Sequence, residues 1–273
     1  FGALGSGPDR ITQTRVTLPD GTNVDGAVAV DSANGRVYAA DLGTERLVQR
    51  QRSGALTVST SPDFAAKWLV HRLGRMAEAL PDVDLRISAT MQHIDFARED
   101  VDLAVRHGDG NWPGLDSVRF SGEVLFPVCS PKLLAGRQRI KDPRDVLKFP
   151  LLHLNDRKDW ARWLQSAGVD DADIKQGLIL NRDSMAIDAA IDGQGVALAR
   201  RTLASWDLLN GRLVAPFVHA MEVSRTYWIV CPKATSKLPK ILAFRDWLRA
   251  EVAADETRLK ALGAPKSAKV RRP

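Results

Sequence analysis

The chain has 273 residues, 44% of them hydrophobic and 26% charged, with a formal net charge of +6. That length can bury a sizeable core in one large or two small domains, and that balance excludes a disordered or fibrous polymer. The first 52 residues carry six basic and six acidic side chains, and the last sixteen carry six basic and no acidic ones, which leaves 27 of each sign in between; no folded face is expected to carry the basic footprint of a nucleic-acid-binding domain.

No apolar run approaches the ~20 residues of a membrane-spanning helix. The opening "FGALGSGPDR" lacks the basic-then-apolar pattern of an export signal. Cys129 and Cys231 stand far apart without metal-ligand spacing. Together these features lead us to expect a reducing, cytoplasmic setting, with no metal or cofactor.

Residues 1–52 are rich in Gly, Asp, Asn and Thr. The pieces "GAVAVD" and "GRVYAAD" read as strands, and "DSANG", Asp31 to Gly35, reads as the turn of a hairpin between them. The longer phrase "DGAVAVDSANGRVYAADLGTERLVQ" looks like a single repeat of an NHL-type β-propeller. One blade cannot bury its own faces, so a fragment fused to the next module and an aberrant segment both stand as readings.

From Ser53 the pattern turns regular. "GALTVSTS" reads as a strand, and Ser61-Pro62-Asp63 supplies a cap, a first-turn proline and a first-turn acid. The helix should run to about Leu80, burying Ala65, Leu69, Leu73, Met76 and Leu80 on one face. "VDLRISA", the helical turn "DFARED" and "VDLAVR" complete a strand–helix–strand–helix–strand unit, which predicts a parallel sheet. "RHGDGNWPGL", Arg106 to Leu115, reads as a loop at a carboxyl strand end, where open α/β sheets place ligands.

Two apolar strands, "EVLFPVCSPKLL" and "TYWIVCPKAT", each end in Val-Cys and a proline turn. Between them lies a second α/β set, from "FPLLHLN" through "DWARWLQSAG", "GLILN" and the helix after Asp183-Ser184 to "GVALA". A long amphipathic helix from "LPKILAF" follows. The expected architecture is α/β and bilobed, with the two crossing strands reaching Cys129 and Cys231. Lobe I would comprise residues 54–128 and 224–255, lobe II 129–223, and residues 258–273 a basic tail. A ligand would sit between the lobes.

Several blocks occur together in order: "GALTVSTSPDFAAKWLVHRLGRM", "FAREDVDLAVRHGDGNWPGL", "LFPVCSPKLLAG", "LLHLNDRKDWARWL", "NRDSMAIDAAIDGQGVALAR" and "YWIVCPKA". Over about residues 53–255 they resemble the effector-binding domain of LysR-type transcription regulators, in the glycine-cleavage-activator-like subgroup. The resemblance implies a two-lobed, type II periplasmic-binding-protein-like fold, a small-molecule effector and a homo-oligomer. It also implies DNA binding through a helix-turn-helix, which residues 1–52 do not show. Only "TERLVQRQRSG", Thr44 to Gly54, resembles the end of the family's linker helix.

The starts of the helices after Ser61 and Ser184 offer free N–H groups that attract carboxylates and other anions. Both serines either cap their own helices or line the cleft. With them, Thr60 and Thr90 would add hydroxyls, and His107 would reach in from its loop. Asp63 and Asp183 stand beside the same helix ends and compete for them. No GxSxG, HExxH or paired-histidine spacing is present, so catalysis is not expected. Cys129 and Cys231 read as buried small hydrophobes, or alternatively as a redox pair. A solute-binding protein of a transporter, sharing the fold, is the alternative function.

Overall fold

The computed structural model describes residues 11–17, 23–31, 36–41, 46–51, 54–135, 140–174 and 177–265. The chain divides into two compact units, Phe1–Leu56 with Leu80–Arg86 and Thr57–Ala79 with Ile87–Pro273.

In the first unit, strands β1 (Ile11–Thr17), β2 (Asn23–Asp31), β3 (Arg36–Asp41) and β4 (Arg46–Gln51) form an antiparallel sheet in chain order. The β2–β3 pairing brings Asp31 opposite Arg36, while most of the turn expected at "DSANG" lies outside the described residues. Residues 46–51 pair with β3 as a strand, so the likeness to a linker helix does not extend to their conformation. The ladder to β3 has claimed their backbone groups.

From Leu56 onward the chain forms two mixed five-stranded sheets. The first has the order β6 (Leu85–Ala89), β5 (Leu56–Thr60), β7 (Leu103–Gly108), β14 (Thr226–Pro232), β8 (Leu115–Arg119). β5 and β7 run parallel, as the α/β pattern predicts, whereas β14 runs antiparallel to both β7 and β8. The second sheet has the order β11 (Leu178–Leu180), β10 (Leu151–Leu154), β12 (Val196–Arg200), β9 (Val124–Val128), β13 (Met221–Glu222). β10 is parallel to β11 and β12, and β9 is antiparallel to β12 and β13.

This places the first crossing earlier than expected. β9 lies wholly in the second sheet and β14 wholly in the first, so the chain crosses at residues 120–123 and 223–225. Residues 124–128 therefore belong with the second lobe. Cys129 and Cys231 end up beside different sheets, paired opposite Val214 and Asp116 respectively, and both are free, buried thiols. Burial pushes the Cys129 thiol up to about 11, away from thiolate reactivity.

The helical run at residues 62–79 (α1) departs from the simple stripe. It begins as α-helix, passes through a π turn at Ala65–Leu69 and a 3-10 turn at Val70–Arg72, and resumes as α-helix at Leu73–Ala79. A π turn inserts a residue and rotates the following face. The buried residues become Phe64, Trp68, Leu69, Arg72 and Met76, while Ala65 and Leu73 turn toward an open groove. The second-lobe helices are α2 (Pro131–Leu134), α3 (Lys158–Ser166), α4 (Asp183–Ile191) and α5 (Arg201–Leu209). In α3, Trp160 and Trp163 lie in the core and Trp160 Nε1 donates to Leu152 O at 3.0 Å, a packing role.

The last helix, α6 (Pro239–Ala261), buries Phe244, Trp247 and Leu248 and ends with Leu259 only 2% exposed. Residues 258–261 are thus the last turn of a packed helix, not part of a tail. Asp255 of α6 receives the Arg72 guanidinium, Trp68 Nε1 at 3.1 Å and the Ser205 hydroxyl at 3.3 Å. One buried carboxylate so joins α1, α5 and α6. Gly193 (φ 78°) ends α4, and a Cβ on Gly195 would stand 2.3 Å from Pro150 O. The glycine turn exists because the chain passes that close to β10.

Candidate functional site

At the carboxyl ends of β5 and β7 a cavity of about 260 Å³ opens among Ser61, Thr90, Arg106, His107, Trp112 and Arg225, with Met91, Ile94 and Phe96 also in its lining. Ser61 caps α1, its Oγ accepting from Phe64 N–H at 3.3 Å, and also faces the cavity. Thr90 fixes the next loop: its N–H donates to Thr60 O at 2.8 Å, and its Oγ1 accepts from Gln92 N–H at 3.1 Å. Arg106 donates to Ser59 Oγ at 2.7 Å, which orients the guanidinium, and burial lowers its pKa against the charge of Glu99.

His107 stands edge-on to Tyr227, ring centroids 5.1 Å apart. Burial, reinforced by the charges of Arg200 and Arg225, pushes its imidazole down to about 3. It is a neutral ring at physiological pH. Its Nε2 is buried without a hydrogen-bond partner, as is Thr60 Oγ1. Trp112 packs over Gly108, where an added Cβ would meet the indole at 2.9 Å. Among the described residues lining the cavity there are two arginines and two histidines and no Asp or Glu.

Ser184 behaves differently from the sequence expectation. α4 starts at Asp183 behind Arg182, so Ser184 lies inside the first turn and is not its cap. Its N–H and hydroxyl both donate to Asp63 Oδ1, at 3.1 and 2.7 Å. The amino end of α4 is thus filled by a carboxylate from α1, the competition that the neighbouring acids foreshadow. Lys67 reinforces the contact by pairing with Asp188 and with Asp207 at 3.6 Å. Asp183 pairs with Arg200 at 3.4 Å. Ser61, Thr90 and His107 therefore share one cavity, Thr60 is buried and outside its lining, and Ser184, bonded to Asp63, is outside the lining too.

Arg106 and Trp112 fall inside the stretch read as a ligand-facing loop but are not among the residues singled out there, and Arg225 lies outside it. Arg106 follows the apolar run Leu103–Val105, and a charge at a strand's carboxyl end was a readable sign. Arg225 comes from the second crossing, 118 positions beyond His107 in the sequence, and nothing local marks it.

Residues 49–253 match the LysR substrate binding domain. The chain belongs to the LysR-type transcription regulators. It is 41% identical over 217 residues to the glycine cleavage system transcriptional activator of Escherichia coli K12, covering 80% of this chain and 71% of that protein. The transcriptional activator AmpR of Citrobacter freundii is 30% identical over 205 residues, 75% of this chain and 69% of that one. The solved effector binding domain of the Citrobacter AmpR superposes with a TM-score of 0.62 at 29% identity, over 74% of this chain and 100% of that domain. The two mixed sheets are accordingly the lobes of a type II periplasmic-binding-like LysR domain. These relatives are regulators of transcription, not enzymes. Among the described residues no helix is long and apolar enough to cross a membrane.

Proposed function

We propose that residues 53–257 sense a small carboxylate-bearing or otherwise anionic effector, with lobe I formed by residues 54–123 and 224–255 and lobe II by 124–223. One observation carries the reading: the cavity presents Arg106 and Arg225 with no acid in its lining. An anion entering there gains charge-assisted hydrogen bonds without meeting a like charge. Ser61 and Thr90 supply hydroxyls and His107 an unmatched nitrogen. Thr60 and Ser184 act at one remove, the first through its carbonyl, which accepts from Thr90 N–H, and the second through the Asp63 latch.

Effector binding shifts the population of lobe arrangements by its differential affinity for them, and a cytoplasmic homo-oligomer reads out the shift; control of DNA belongs to the family's helix-turn-helix, which residues 1–52 do not show. Calorimetry against a panel of amino acids and small organic acids tests this. At least one anion should bind, and Arg106→Ala should weaken it about tenfold or more, the worth of a charged hydrogen bond. Binding of neutral or cationic compounds alone would sink the reading, as would an affinity untouched by both Arg106→Ala and Ser184→Ala.

A further inference from the structure

Resting on the anion-site reading, we infer that the effector carries two separated negative groups, one for Arg106 and one for Arg225: an α,ω-dicarboxylate, not a monocarboxylic acid. Both guanidiniums line the cavity, and among the described residues neither has an acidic partner. Arg106 donates only to neutral acceptors, Ser59 Oγ at 2.7 Å, Val105 O at 3.1 Å and Gln92 O at 3.5 Å. Glu99, whose charge reaches Arg106, and Asp109, beside the end of β7, are exposed and outside the lining. Their carboxylates serve their own loops: Glu99 Oε1 accepts from Asp95 N–H at 2.9 Å and Asp109 Oδ1 from Asn111 N–H at 3.3 Å. A ligand with one negative charge leaves a guanidinium unmatched, whereas two charges give each arginine its own charge-assisted hydrogen bonds.

The strand register sets the two positions apart. Trp228 pairs opposite Arg106 and Thr226 opposite Gly108, and Arg225 is the next residue out. Arg225 thus stands three residues beyond the level of Arg106, about 10 Å along the ladder. The hydrogen bonds to Ser59, Val105 and Gln92 tether the Arg106 guanidinium close to its own strand, while Arg225 is exposed. The ligand's charges must be spaced to match. Met91, Ile94, Phe96 and Val230 in the same lining suit a hydrocarbon chain joining them.

The test is calorimetry on the whole chain at pH 7, with straight-chain diacids from malonate to suberate, each against the monoacid of equal carbon number, and inorganic phosphate. At least one of glutarate, adipate and pimelate should bind tenfold or more tighter than its monoacid, and tighter than malonate or phosphate. Arg225→Ala should close the gap between diacid and monoacid, and Arg225→Lys should keep part of it. Because Arg225 is exposed, its replacement strips no packed core; the wild-type ranking is in any case a test by itself. Monoacids binding as tightly as their diacids overturn this inference and leave the anion site intact. So does malonate or phosphate binding tightest, since a compact anion needs one centre only. A diacid advantage that survives Arg225→Ala overturns the pairing of the second charge with Arg225. Failure of every acid to bind at millimolar concentration overturns the anion site itself, and the inference with it.

Discussion

Glu123 lies in the first crossing, fully buried, with Oε1 accepting from Val124 N–H at 3.3 Å and Thr202 N–H at 3.2 Å. Burial pushes its carboxyl up to about 7, against the opposing pull of Arg200. A raised carboxyl contributes most stability below its ordinary pKa of 4.5 and loses it as the pH climbs to about 7. At about 1.4 kcal/mol per pH unit, that is about 3 kcal/mol in all. His107 has the opposite sign: its lowered pKa costs stability as the pH falls from 6.5 toward 3. The two slopes oppose each other in mildly acidic solution, so the difference between wild type and Glu123→Gln isolates the glutamate. Urea midpoints should show the glutamine variant gaining on wild type from pH 5 to pH 8; parallel curves would contradict the buried carboxyl. Asp63 offers a second residue-scale test. Asp63→Ala leaves the Ser184 N–H and hydroxyl unmatched, at a cost of about 1–3 kcal/mol. Hydrogen exchange at the start of α4 should accelerate, and unchanged protection there would argue against the latch.

At the scale of elements, α1 is apolar on two sides. One side is buried, and the other lines an open groove of about 310 Å³ with Leu69, Val70, Ile87 and Ala89. Val70 is 51% exposed, and on the second lobe Leu178 of β11 and Met185 of α4 are 53% and 49% exposed. The segment Ala199 to Trp206 is committed inside the chain: Leu203 and Ala204 are fully buried and Trp206 stacks on His71 at 4.7 Å. Pairing between copies is therefore expected through the α1 groove and the β11–α4 face. Light scattering on Val70→Asp or Ile179→Asp should show a shift toward monomer, while an unchanged mass would place the contact elsewhere. Gly195→Ala tests the turn behind α4. Its Cβ would stand 2.3 Å from the Pro150 carbonyl oxygen, so backbone must move; we expect a loss of about 2 kcal/mol or more, read as a fall in Tm of several degrees.

Across the whole molecule, the positive charge beyond the balanced body gathers after residue 257. The chain should hold duplex DNA weakly, without sequence preference and with steep salt sensitivity. Removing residues 266–273 spares the buried Leu259 and should abolish that binding; tight, sequence-selective binding by the shortened chain would contradict it. The α/β alternation, the helix cap at Ser61, the glycine turn after α4 and the family itself were all legible along the chain. They depend on neighbours within a few residues, where periodicity, φ preference and capping act. Only the tertiary structure decided the antiparallel entries of β9 and β14, the π turn that rotates α1, the Asp63 carboxylate on Ser184 121 positions away, and a cavity free of acids. Those depend on which groups two crossings of the chain bring together in space, and a carboxylate or a guanidinium finds its partner by proximity that no local pattern records.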